Sequence, residues 1–229
     1  MNSKRIRLWD LPTRIFHWAL VACMAAAVVT GQLGGGLIEL HGKLGLAISG
    51  LLAFRLIWGF AGSTYARFAQ FFPTPAKIGA YLAGRWHGEG HNPLGALSVF
   101  GLLGLLTVQV MTGLVANDDI AFRGPLYELV GNVWSNRLTG LHHLVADALI
   151  GLVVLHVGAI AFYVRVKKQN LVKPMLTGWK EAAEGESARG GGLLALILAL
   201  GFALAVVYGA SGAWMPEPPP ASAVETPNW

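Results

Sequence analysis

The sequence predicts an all-α integral membrane bundle, a four-helix core joined by a fifth spanning helix. Three observations lead there. Charged residues are 13% of the 229 and apolar residues 54%, where a soluble domain carries roughly 25% charged residues. Mean hydropathy is +0.53. Apolar runs long enough for a spanning helix of ~20 residues recur five times, separated by polar or Gly/Pro-containing connections. Disorder and collagen are excluded by composition. The single cysteine, Cys23, excludes an internal disulfide, an iron–sulfur cluster and a Cys-x-x-Cys-His haem attachment.

The elements follow in order. Residues 15–33 are uncharged. Lys4, Arg5 and Arg7 before that run also suit a signal peptide, but Arg14, His17 and the lack of a small-x-small cleavage site favour a retained helix. The second span, 41–61, carries only Lys43 and Arg55. The third, 93–117, is uncharged and opens on Asn92-Pro93, a favourable helix start. The fourth, about 138–164, holds one acid, Asp147, expected to hydrogen-bond a neighbouring helix. The fifth, 190–216, is uncharged.

The connection 62–92 is aromatic and partly basic and reads as lying on the membrane surface. Residues 117–137 read as an ordered, partly helical loop, and 165–189 as a charged, mostly solvated one. No internal repeat is evident. The division is 1–180 for the four-helix unit, 181–216 for a linker and the fifth helix, and 217–229 for a Pro-rich tail.

Basic residues are sorted by side. Lys4, Arg5, Arg7, Arg14, Arg67, Lys77, Arg85, Arg165, Lys167, Lys168, Lys173, Lys180 and Arg189 share one side; Lys43, Arg123 and Arg137 take the other. The positive-inside rule then puts the N-terminus in the cytoplasm and the C-terminal tail outside. The net charge of +5 is thereby a topology signal and does not argue for nucleic acid.

Ionisable groups inside a membrane are costly and mark function. His17, His41, His142 and His156 lie in or at the ends of spans. His142 and His156 are 14 residues apart, which is ~21 Å along a helix and within ~40° of the same face. His143 points ~100° away from His142. The antiparallel helices put His17 at the depth of His156 and His41 at the depth of His142. Paired imidazoles across a helical bundle suit an iron porphyrin. The reading is two b haems, one toward each membrane surface, with His17/His156 and His41/His142 as axial ligands. Gly31, Gly42, Gly45, Gly113, Gly140 and Gly151 would let a flat ring approach the backbones. A zinc site lacks a compact tetrahedral donor set.

Several stretches resemble the bacterial cytochrome b561 family, together with the cytochrome b subunits of nickel–iron hydrogenases. They are Trp9-Asp10-Leu11-Pro12-Thr13-Arg14-Ile15-Phe16-His17-Trp18, His41-Gly42-Lys43-Leu44-Gly45, Arg55-Leu56-Ile57-Trp58-Gly59-Phe60 and Gly90-His91-Asn92-Pro93. Leu141-His142, His156-Val157 and Asn170-Leu171-Val172-Lys173-Pro174-Met175-Leu176-Thr177-Gly178 complete the set. The resemblance covers about 9–180. It implies a four-helix haem core in the bacterial inner membrane, bis-histidine ligation by the same four residues, and a membrane quinone as one electron carrier.

Bis-histidine iron has both axial positions filled, so electron transfer is the expected activity. The reading is transfer between the quinone pool and a redox partner on the outer, periplasmic side, a c-type cytochrome or a dehydrogenase or hydrogenase subunit. His91 and Asn92 are the candidate quinone contacts and Arg55 the candidate partner of a haem propionate. The alternatives are a hydrogenase-type membrane anchor and a superoxide:quinone oxidoreductase. A haem-free scaffold or carrier is the reading outside redox chemistry, and it predicts a colourless protein.

Overall fold

The computed structural model describes residues 4–120, 122–182 and 185–216. The tail expected at 217–229 lies outside the described residues. Five helices are long and apolar enough to cross a membrane: α1 (Leu11–Leu33), α2 (Ile38–Ala61), α5 (Pro93–Gly113), α6 (Gly131–Arg165) and α8 (Leu193–Ala210). Between them lie the short helices α3 (Phe68–Phe71), α4 (Pro75–Leu82) and α7 (Val172–Thr177). The end of the bundle where α1 begins is called the inner end below.

Local chemistry sets the helix starts. Asp10 caps α1 by accepting from the Thr13 amide at 2.7 Å, ahead of Pro12 in the first turn. Asn92 caps α5 in the same way, accepting from the Gly95 amide at 2.7 Å ahead of Pro93. Each side-chain oxygen satisfies an amide that a helix start leaves without a partner. Gly34 and Gly35 turn the chain between α1 and α2 at φ of 61° and 55°, a region that side chains with a Cβ disfavour.

Three segments differ from expectation. The fourth span begins at Gly131, seven residues before the expected 138, so α6 reaches ~52 Å at 1.5 Å per residue and projects beyond the hydrocarbon. Its extra turns are held by the outer loop: Ser135 Oγ donates to the Val115 carbonyl at 2.6 Å, and Asn117 Nδ2 to Asn136 Oδ1 at 2.7 Å. The connection 165–189 is ordered over much of its length. It contains α7 and strand β2 (Trp179–Ala182), which pairs antiparallel with strand β1 (Lys4–Arg7), Lys4 opposite Ala182 and Arg7 opposite Trp179. Asp147 is exposed on α6, and among the described residues it has no hydrogen bond or ion pair to another helix.

The core has two parts. Toward the inner end, Phe16, Phe54 and Trp58 pack with Ala53, Ala66, Ala199 and Ala203, joining α1 and α2 to α8. Small residues allow this approach; a Cβ on Gly50 of α2 would lie 2.7 Å from Val207 of α8. At mid-depth, Ile48, Leu106, Val145 and Leu149 join α2, α5 and α6. Leu149 is seven residues from both His142 and His156, so this apolar layer separates two polar levels.

Candidate haem-binding levels

At the outer level the structure brings His41 and His142 together, ring centres 6.0 Å apart and planes at 84°. Imidazoles on opposite sides of one metal, each bonded at about 2.0 Å, have ring centres roughly 6 Å apart. Both rings are anchored through Nδ1. His41 Nδ1 donates to the Ala27 carbonyl of α1 at 2.8 Å, and His142 Nδ1 to the Gln109 carbonyl of α5 at 2.9 Å. A carbonyl only accepts, so the hydrogen sits on Nδ1 in each ring and Nε2 is the ring's acceptor, the atom that could bind a metal. Gln109 Nε2 stands 3.0 Å from His142 Nε2.

At the inner level His17 lies on α1 and His156 on α6, and among the described residues their rings make no contact like that of the outer pair. His156 Nδ1 is 3.3 Å from Ser98 Oγ on α5. His17 Nδ1 is buried without a hydrogen-bond partner. Arg55, 4% exposed, lays its guanidinium over the Phe68 ring at 4.5 Å, and its Nη1 is also buried without a partner. Arg14 Nε and Arg67 Nε are left in the same condition nearby in the fold. Burial of charge without compensation is expensive, so these atoms mark space for an acceptor or an anion.

His91 lies between Trp9 and Phe71, ring centres at 4.7 and 4.5 Å, with Nδ1 buried and unpartnered. Burial, then the charges of Arg55, His156 and His17, lower its pKa to about 3, so it is a neutral imidazole at physiological pH. Asn92 is committed twice: its Oδ1 caps α5, and its Nδ2 donates to Tyr163 OH on α6 at 3.1 Å. Tyr163 OH also pairs with Tyr81 OH of α4. Burial and that hydrogen bond raise the Tyr81 phenol to about 12.

Long-range contacts close the inner end. Trp58 Nε1 donates to Asp10 Oδ2 at 3.0 Å, so one carboxylate caps α1 and ties it to α2. Arg14 donates to the Leu176 carbonyl, and Trp18 Nε1 to the Met175 carbonyl at 3.2 Å. The Leu8 and Trp9 amides both reach the Gly178 carbonyl, at 2.8 and 3.2 Å. Lys180 Nζ meets Glu89 Oε2 at 2.7 Å.

The expected glycines divide. A Cβ on Gly31 would lie 3.0 Å from the His41 ring, and one on Gly113 2.8 Å from the His142 ring. Gly42 faces Phe122 at 3.3 Å, while Gly45, Gly140 and Gly151 have open space in front of them. Ser98, Gln109, Thr30 and Thr112 escape the sequence reading. The Thr-Gly dipeptide at 30–31 and again at 112–113, near the outer end of two spans, is the signal that carries two of them.

The fold and these paired imidazoles define a class: a multi-pass membrane helical bundle with histidines facing each other at matched depth. The chain belongs to the prokaryotic cytochrome b561 family, whose model matches residues 8–178. That family is one of membrane cytochromes b. Among the chain's relatives is a probable Ni/Fe-hydrogenase 1 B-type cytochrome subunit of Escherichia coli K12, 28% identical over 46% of this chain and 57% of that one. The match therefore spans little more than half the length of that relative. A probable Ni/Fe-hydrogenase B-type cytochrome subunit of Azotobacter chroococcum is 24% identical over 76% of this chain and 88% of its own. One of Rhodobacter capsulatus is 25% identical over 76% and 80%. No solved structure matches.

The residues present fit a haem at both levels. The outer pair has the ring separation and Nε2 acceptors, that of His142 taken here by the Gln109 side-chain amide, and the inner end holds orphaned cationic and imidazole nitrogens that suit an anionic macrocycle edge.

Proposed function

We propose that the chain carries electrons across the bacterial inner membrane through two b haems, one held by His41 and His142 and the other by His17 and His156. The observation that carries this is the outer pair: two imidazoles 6.0 Å apart, each anchored through Nδ1. Each haem supplies a one-electron centre. With two histidines holding each iron, oxygen would find no free ligand position and the group would supply electron transfer only. The layer of Ile48, Leu106, Val145 and Leu149 excludes water between the levels. Arg55 is proposed to meet a haem propionate, supported by its buried, unpartnered Nη1.

Quinone is proposed to exchange electrons at the inner end. There His91 offers a neutral, unpartnered Nδ1 as proton acceptor, and the adjacent Asn92 donates to Tyr163 OH. The charge distribution supports a cytoplasmic N-terminus and an outer-side C-terminus. The redox partner is proposed to be the outer-side subunit of a hydrogenase-type dehydrogenase, supported by the names of the relatives.

The test is a pyridine haemochrome count on purified chain made with ample haem. Two non-covalent b haems per chain are expected; none, in monodisperse protein, overturns the reading. Co-purification with a nickel-containing subunit tests the partner, and a chain that isolates alone while reducing a c-type cytochrome would replace it with the free-standing b561 reading.

A further inference from the structure

The two outer histidines are seated by the same device built twice, on different helices. On α1 the device is Thr30-Gly31 and the Ala27 carbonyl; on α5 it is Thr112-Gly113 and the Gln109 carbonyl. In each case the glycine stands four residues after the carbonyl that receives the imidazole. That spacing has a physical reason. A helical side chain leans toward the N-terminus and covers the turn before its own Cα, so the residue at i+4 shields the carbonyl of residue i. Glycine at i+4 uncovers it, and the second lone pair of an oxygen already bonded within the helix becomes reachable.

The imidazole uses that opening. A Cβ at position 31 would lie 3.0 Å from both Cε1 and Nδ1 of His41, and one at 113 would lie 2.8 Å from Cε1 of His142. Alanine in either place collides with the ring and covers its acceptor. The preceding threonine back-bonds in both places, Thr112 Oγ1 standing in addition 3.3 Å from His142 Nδ1. Thr30 Oγ1 donates back to the Ala26 and Ala27 carbonyls at 2.8 and 3.2 Å, and Thr112 Oγ1 to Val108 and Gln109 at 2.8 and 3.0 Å. Such back-bonding bends a helix and tilts the carbonyls of that turn outward. Ser98 is the inner level's nearest counterpart, and His17 has no acceptor.

We propose that Thr30-Gly31 and Thr112-Gly113 are positioning residues that hold His41 and His142 in the Nδ1–H form with Nε2 toward iron, and so set the affinity and reduction potential of the outer haem alone. A hydrogen bond from the distal ring nitrogen fixes orientation and raises ligand basicity, and its loss typically costs 10–100-fold in metal affinity. A more basic ligand favours the ferric state, so losing the bond raises the potential. The proposal rests on the bis-histidine reading above.

The experiment is a redox titration with haem counting and electron paramagnetic resonance on detergent-purified full-length variants. Gly31→Ala and Gly113→Ala are expected to weaken outer-haem retention at least about tenfold, and to raise the potential of what is retained, the inner haem's signal staying in place. Gly104→Ala, on α5 with open space before it, should match the parent. Where a Gly→Ala chain does not fold, Thr112→Val against Thr112→Ser decides: the serine variant should keep the parent's outer potential and the valine variant should shift it. Unchanged potential and spectrum in all of these, or a change confined to the inner haem, overturns the proposal. If His41→Ala and His142→Ala also leave two haems, the ligand reading fails as well; if they remove one, only the seat fails.

Discussion

The two histidine levels are finished in different ways. At the outer level each Nδ1 is bonded to a backbone carbonyl and the rings stand 6.0 Å apart. At the inner level His17 Nδ1 has no partner, and Arg14, Arg55, Arg67 and His91 each leave a buried nitrogen unsatisfied. The first is set by helix backbone, the second by cationic side chains, of which Arg14 is held by α7 and Arg55 lies over Phe68. Under the proposed ligation a backbone carbonyl would act on the ligand, whereas a guanidinium would act on charge at the haem edge, so the outer level would be tuned by geometry and the inner level by electrostatics.

The largest expected effect is loss of a level. His142→Ala or His41→Ala should remove the outer haem and spare the inner; His156→Ala or His17→Ala should do the reverse. Haem counting with redox titration separates the cases, and His143→Ala should leave the count unchanged. A His143 variant that loses a haem while the His142 variant does not would break the pairing.

Next in size is Arg55→Leu. Removing the buried cation should lower the inner potential, because one positive charge fewer stabilises the added electron, with the outer potential little moved. Equal shifts at both levels would contradict an electrostatic inner level. Asp10→Ala removes the α1 cap and the acceptor of Trp58 together, and should destabilise the fold by about 1–3 kcal/mol in detergent unfolding. A loss as small as that of an exposed substitution would mean the inner cap is not held there. The smallest is Lys180→Ala. Its contact with Glu89 is partly exposed, with side chains 36% and 26% accessible, and such pairs contribute about 0–1 kcal/mol.

Much of this was legible in the chain. The apolar runs, the side-by-side count of basic residues and the 14-residue spacing on one helix each depend on local composition or a helical period, so five spans and two histidine depths follow without tertiary contacts. The Asn92 and Asp10 caps are likewise local, since each bonds an amide three residues on. The connection 165–189 is mostly exposed, as its charge indicates, but its helix and strand were not legible because what orders it lies across the whole chain: Leu8 and Trp9 bond to Gly178, and β1 pairs with β2. The extra turns of α6 fall in the stretch read as a partly helical loop; their continuity with the span was not legible because Asn117 and Ser135 are satisfied by contacts across that loop.

By itself the sequence determined that this is a membrane helical bundle with histidines at two depths, because burial in lipid requires long uninterrupted apolar helices and makes any imidazole within them conspicuous. Only the tertiary structure decided which ring nitrogen is held, by which carbonyl, and that Gly31 and Gly113 are the glycines that allow it. Those facts depend on contacts between helices, and a helical repeat fixes the direction of a side chain but not what stands opposite it.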